Sequence, residues 1–172
     1  AATEAATEAA TEPITATAPL TTTAVDSTQP PPCPAEFAAY PDLLAALINA
    51  PYGGVEGLLG YLRSCNALDE NGVTQGDWNG DGADDLAVVL VNPASDAATP
   101  ETDLLIFMSD GERYDLAYRA RAAGQVKILA TEDVNADGQP DIVWTDTTCG
   151  ANTCFDTVNV RSWDGTQWAD WT

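Results

Sequence analysis

Asp77-Trp78-Asn79-Gly80-Asp81-Gly82-Ala83-Asp84-Asp85 and Asp133-Val134-Asn135-Ala136-Asp137-Gly138-Gln139-Pro140-Asp141 both read D-x-N-x-D-G-x-x-D. They begin 56 positions apart (133 minus 77), and each runs directly into an apolar stretch, Leu86 to Val91 or Ile142 to Trp144. A second signal travels with them. Asp110-Gly111 and Asp164-Gly165, 54 positions apart (164 minus 110), each sit between apolar runs. Asp and Gly tolerate the positive φ angles of a tight hairpin turn. Loop, strand and hairpin therefore recur together as one unit, present twice.

Acidic or amide side chains at alternate positions 1, 3 and 5, with glycine at 6 for a sharp bend, wrap oxygens around a hard cation, and position 7 adds a backbone carbonyl. The expected ligands are Asp77, Asn79, Asp81 and Asp85 with the carbonyl of Ala83, and Asp133, Asn135, Asp137 and Asp141 with the carbonyl of Gln139. Calcium fits this donor set better than magnesium, which prefers a stiff octahedral shell with several retained waters. Two calcium ions would take the net charge from −21 to −17 (−21 plus 4). An EF-hand loop would place a bidentate glutamate at position 12, where this chain has Val88 and Trp144. Solvated turns without metal would also use these residues, but acids crowded twice into nine positions repel one another unless a cation joins them.

With its doubled loop, following strand and Asp-Gly hairpin, the segment from about Gly76 to Trp171 resembles the calcium-binding FG-GAP or VCBS repeats of integrin alpha chains and bacterial surface proteins. The Phe-Gly and Gly-Ala-Pro elements of that family are missing. The resemblance implies four-stranded antiparallel blades, usually assembled as a propeller of about seven, in which the metal loop ties adjacent strands. Two repeats cannot close such a ring.

The remaining strand candidates fall around the loops, at 85–92, 103–109, 113–120, 126–131, 140–146, 154–163 and 166–171. No strand follows the Asp164-Gly165 hairpin's own before the chain passes Trp171, so the second repeat is expected to lack a fourth strand and to offer an edge to a donated one. Upstream the period is helical. Pro41-Asp42 opens a stretch with Leu43, Leu44, Leu47 and Ile48 that Pro51 and Gly53 stop; Val55, Leu58, Leu59 and Leu62 then give one apolar face, with Arg63 near the end of that helix. Cys33 and Cys65 bracket this helical hairpin. Four cysteines permit three connectivities; a Cys33–Cys65 bond would fasten the hairpin and leave Cys149 and Cys154 to close a small loop. The expected organisation is a low-complexity tail over 1–32, the disulfide-clipped hairpin over 33–68, and two β repeats over 69–172. The fold class is mainly β with a small helical hairpin (α+β), its repeats resembling propeller blades.

Residues 1–32 hold three copies of Ala-Ala-Thr-Glu, then threonines spaced by prolines, and neither Lys nor Arg. Such a segment cannot bury a core of its own. It reads as a linker carrying O-linked glycans on threonines such as Thr21, Thr22 and Thr23. It also reads as a strand donated to a neighbour, because Ile14, Leu20 and Val25 lie among β-favouring threonines.

Composition narrows the function. With 27 Asp plus Glu against 6 Lys plus Arg, nucleic acid and anionic membrane would repel the chain. No apolar run approaches the roughly 18 to 20 residues needed to cross a bilayer. Histidine is absent, which removes the commonest general base; with each acid cluster committed to a metal loop, no catalytic residue is assigned and an enzyme is not expected. Four cysteines in a chain with one Lys, and Ala1-Ala2-Thr3, which look like the small-residue end that a signal peptidase leaves, set the expectation of a secreted protein at the cell surface. The tryptophans Trp163, Trp168 and Trp171 suit core packing better than sugar stacking. The leading expectation is a calcium-stabilised structural subunit that joins others into a fibre through residues 1–32. The alternative is an adhesion module, binding glycan or protein, on a glycosylated linker.

Overall fold

The computed structural model describes residues 29–122 and 124–171. The tail expected over 1–32, whether glycosylated linker or donated strand, lies almost wholly outside them. A short 3-10 turn (Phe37–Ala39) leads into helices α1 (Tyr40–Leu47) and α2 (Gly54–Ser64). Eight strands follow: β1 (Leu68–Gly76), β2 (Asp85–Val91), β3 (Thr102–Ser109), β4 (Tyr114–Ala122), β5 (Gln125–Ala130), β6 (Ile142–Cys149), β7 (Cys154–Trp163) and β8 (Trp168–Asp170). They form two four-stranded antiparallel sheets in simple meander order, β1-β2-β3-β4 and β5-β6-β7-β8.

The layers follow from burial on β2 and β3. Both strands are apolar on both faces, which suits a sheet covered on both sides. Leu86, Val88, Leu90, Leu105 and Phe107 share a core with Leu44, Leu47, Leu58 and Leu62 of the helices. Ala87, Val89, Leu104 and Ile106 face the other way and pack against Val126, Ile142 and Trp144 of the second sheet. The result is helices, first sheet, second sheet. The helical hairpin thus shares a core with the first repeat.

The period-3.6 reading of the hairpin holds, since Leu58, Leu59 and Leu62 are all buried on α2. Cys33 and Cys65 are bonded across it, with Cα atoms 5.6 Å apart. The Tyr61 hydroxyl donates to the Pro32 carbonyl at 3.1 Å, holding the incoming chain against α2. Cys149 and Cys154, paired across β6 and β7, form the second disulfide.

Two expectations need correction. First, β1 is a strand that the apolar pattern does not announce. Leu68 and Val73 are separated by Asp69-Glu70-Asn71-Gly72, and the register against β2 slips between them. A bulge of this kind breaks the alternation on which strand recognition depends. Gly72 is needed there, because a Cβ would stand 2.5 Å from the Cβ of Val89. Second, the second sheet does have its fourth strand. Each repeat begins with a strand before its acidic loop, β1 or β5, and ends with one after its Asp-Gly hairpin, β4 or β8. The shortfall is one of length: β4 pairs with β3 over eight positions, Thr102 to Ser109, whereas β8 pairs with β7 only at Arg161, Ser162 and Trp163.

Candidate metal centre: two acidic loops

The loops join β1 to β2 and β5 to β6, the same position in each sheet. Their backbones match. Positions 4 and 6 are left-handed in both, with φ of 75° and 89° at Gly80 and Gly82, and 62° and 93° at Ala136 and Gly138. Glycine adopts such angles freely, while Ala136 does so against its Cβ.

That backbone gathers N–H groups around the first acid. The Asp77 carboxylate accepts from Gly80 N at 2.7 Å, Asp81 N at 3.1 Å and Gly82 N at 2.9 Å. Asp133 accepts from Asp137 N at 3.2 Å and Gly138 N at 2.9 Å. Asn79 Oδ1 accepts from Asp81 N, and Asp81 Oδ1 from Ala83 N; Asn135 and Asp137 repeat these two bonds with Asp137 N and Gln139 N. In both loops the Asn amide donates to the acid at position 5, at 2.8 Å. The residues at positions 1, 3 and 5 thus share one network of turn hydrogen bonds in each loop.

The acids at position 9 do something that spacing alone does not reveal. Asp85 is wholly buried, and its two oxygens accept from Trp78 N at 3.0 Å and Ser109 N at 2.7 Å. It therefore pins the start of the loop to the end of β3. Burial pushes its pKa up, the two N–H bonds oppose that, and Asp81 and Asp77 add to the rise. Asp141, 1% exposed, accepts from Val134 N at 2.8 Å and from the Ser162 hydroxyl of β7. In each repeat the buried acid ties loop to third strand. Ser109 and Ser162 were not singled out from the sequence; their only signal is a serine just ahead of each Asp-Gly turn.

The loops also touch each other. A Cβ on Gly80 would lie 3.3 Å from Gln139 Nε2, and Gln139 Oε1 is buried without a hydrogen-bond partner. Beneath the loops, Trp78 and Trp168 meet edge to face at 6.1 Å, and Trp168 meets Trp163 at 5.9 Å, so these rings serve the core between the sheets. Trp171 is half exposed. Arg161 of β7 reaches across to β4, lying 5.0 Å from the Tyr118 ring centroid and donating to its hydroxyl at 2.9 Å.

Among the described residues, no group of three or more His, Cys, Asp or Glu side chains is arranged to hold a metal ion by itself. Each loop presents oxygens only: two carboxylates and an amide at positions 1, 3 and 5, a carbonyl at 7, and a buried carboxylate at 9. In donor chemistry that set fits a hard cation such as calcium. Among the described residues, no helix is long and apolar enough to cross a membrane. The chain matches no known protein family, no curated protein and no solved structure.

Proposed function

We propose that this protein is a secreted, calcium-stabilised structural module of the FG-GAP or VCBS kind, one subunit of an extracellular surface assembly joined through residues 1–32. The observation that carries this reading is the doubled loop. Two segments 56 positions apart (133 minus 77) share left-handed positions 4 and 6, the same Asx turns, and a buried acid tying the loop to the third strand of its sheet. Asp77, Asn79, Asp81 and the Ala83 carbonyl would hold one ion, with Asp85 beside them. Asp133, Asn135, Asp137 and the Gln139 carbonyl would hold the other, with Asp141 beside them. Calcium supplies positive charge where acids of each loop stand together, and its work in this reading is structural. Two disulfides suit an oxidising compartment.

Because an ion bound only by the folded chain stabilises it by mass action, each site filled at 100 times its Kd adds about 2.7 kcal/mol. Calorimetry in calcium and in chelator tests this directly. A raised melting temperature in calcium, lost in an Asp77→Ala/Asp133→Ala variant, is the expected result; coincident curves would refute metal binding. Removal of residues 1–32 should abolish assembly, and a single-copy intact chain would turn attention to the adhesion alternative.

A further inference from the structure

The outer edge of β7 is the least protected strand edge among the described residues. Trp171 N–H donates to the Val160 carbonyl at 3.3 Å, and there the cover given by β8 ends. In an antiparallel ladder, alternate residues turn their peptide groups to the same side, so those of Val158, Asp156 and Cys154 face outward as Val160's do. No described strand meets them. The other free edges carry the devices that discourage strand addition. On β4 these are Asp115, Arg119 and Arg121; on β1, Asp69, Glu70 and a register slip; on β5, Lys127 and a register slip; β8 is only three residues long and ends in Asp170. Cys154 to Asn159 has neither proline nor bulge, and Asp156 alone is charged.

This edge also carries one exposed large apolar side chain on each face. Phe155 is 69% exposed and Val158 62%, and as neighbours of opposite parity in β7 they lie on opposite faces of the sheet. A surface stacking on one face would cover only one of them. A strand laid alongside covers both.

We propose that the occupant is the segment 13–25 of a second copy of this chain, a conclusion that rests on the assembly reading above and assigns its contact. In a chain of net charge −21, an acidic strand beside Asp156 would be repelled, whereas residues 13 to 25 contain no Asp, Glu, Lys or Arg. They include Ile14, Leu20 and Val25 among β-branched threonines. At about 3.3 Å per residue, a dozen residues reach roughly 40 Å, about twice the length of the open edge. The donor is a neighbour because the segment leaves from the helical layer, where Pro32 is held by Tyr61, and that layer covers the face of the first sheet turned away from the second. Pro30-Pro31-Pro32 stiffens this exit.

The test is sedimentation of the full chain and two single variants. Val158→Asp places a second acid on the accepting edge, at an exposed position; Thr22→Pro removes a ladder donor from the segment while leaving the described fold untouched. Wild type should self-associate, each variant should weaken association at least about tenfold, and at a dilution where all three are single both should keep the wild-type melting temperature. Mixed together, Val158→Asp with an intact segment and Thr22→Pro with an intact edge should form a dimer and stop there. Excess synthetic peptide of residues 13–25 should dissolve wild-type assemblies. A wild type that stays single at its highest soluble concentration overturns the proposal, as does a mixture that forms no dimer. Assembly lost on deleting residues 1–28 but retained by Val158→Asp overturns this edge while leaving a joint through residues 1–32 standing.

Discussion

Replacing Asp85 by alanine in calcium-free buffer removes the acceptor of two buried N–H groups, those of Trp78 and Ser109. Each stranded donor costs about 1–3 kcal/mol, or roughly 2–6 kcal/mol together. Part of this is offset. Burial already disfavours the ionised carboxylate, as its raised pKa records, so alanine also relieves a desolvation penalty. The expected net loss is about 2–4 kcal/mol, in the lower half of the range. For a fold of this size that corresponds to a fall of roughly 4 °C in Tm per kcal/mol. Urea unfolding in chelator, followed by the combined fluorescence of the five tryptophans, measures it. Asp84 is the control: it is the adjacent acid, but exposed, so Asp84→Ala should stay within about 0.5 kcal/mol of wild type. Equal stabilities for the two variants would mean that Asp85 does not pin the loop to β3.

Four further outcomes are expected. Removing the Cys33–Cys65 bond, which closes a separation of 32 residues, should cost about 4 kcal/mol, against about 2 kcal/mol for Cys149–Cys154 with its separation of 5, when paired serine variants are unfolded in urea. Gly60→Ala on α2, where an added Cβ meets nothing within 4 Å, should raise stability by about 0.8–1 kcal/mol, and a fall in Tm would contradict it. Ala136→Gly should stabilise by about 1 kcal/mol in chelator, because Ala136 sits at φ 62° and glycine loses the Cβ clash; no change would mean that the loop relaxes around the side chain. The pKa of Asp110 is lowered by the N–H groups of Arg113 and Glu112, and that of Asp164 by Gln167 N–H and the Thr166 hydroxyl. A carboxylate with a lowered folded-state pKa stabilises the fold above its unfolded value, about 3.9, and loses that contribution as pH falls through the folded value. Asp110→Asn/Asp164→Asn should therefore lose less stability than wild type below about pH 4 in acid titrations, and parallel curves would refute the turn bonds.

Much of the architecture is legible in local chemistry. Asp-Gly pairs mark the hairpin between the third and fourth strands of each sheet, and positive φ at Gly111 and Gly165 is what those turns require. The leucines of α2 at helical spacing do face the core. Legibility fails where a residue's partner lies far along the chain. Asp85 reads as one more loop acid until Ser109, 24 positions away, proves to hold it. Strand β1 is hidden because its bulge spreads two apolar residues, Leu68 and Val73, across a polar run. The strand expected over 166–171 does form, but its short span, Trp168–Asp170, is set by where pairing with β7 ends.

The sequence by itself determined the doubled acidic motif, the loop at the head of each second strand, the hairpins and the helical clip. These follow from φ preferences and side-chain period, which act over a few residues. Only the tertiary structure decided that the first sheet is sandwiched between helices and second sheet, that the ninth acid of each loop is a buried anchor, and that β7 keeps an open edge. Each of these depends on which distant groups meet, and burial settles that by removing apolar surface and unpaired N–H groups from water together.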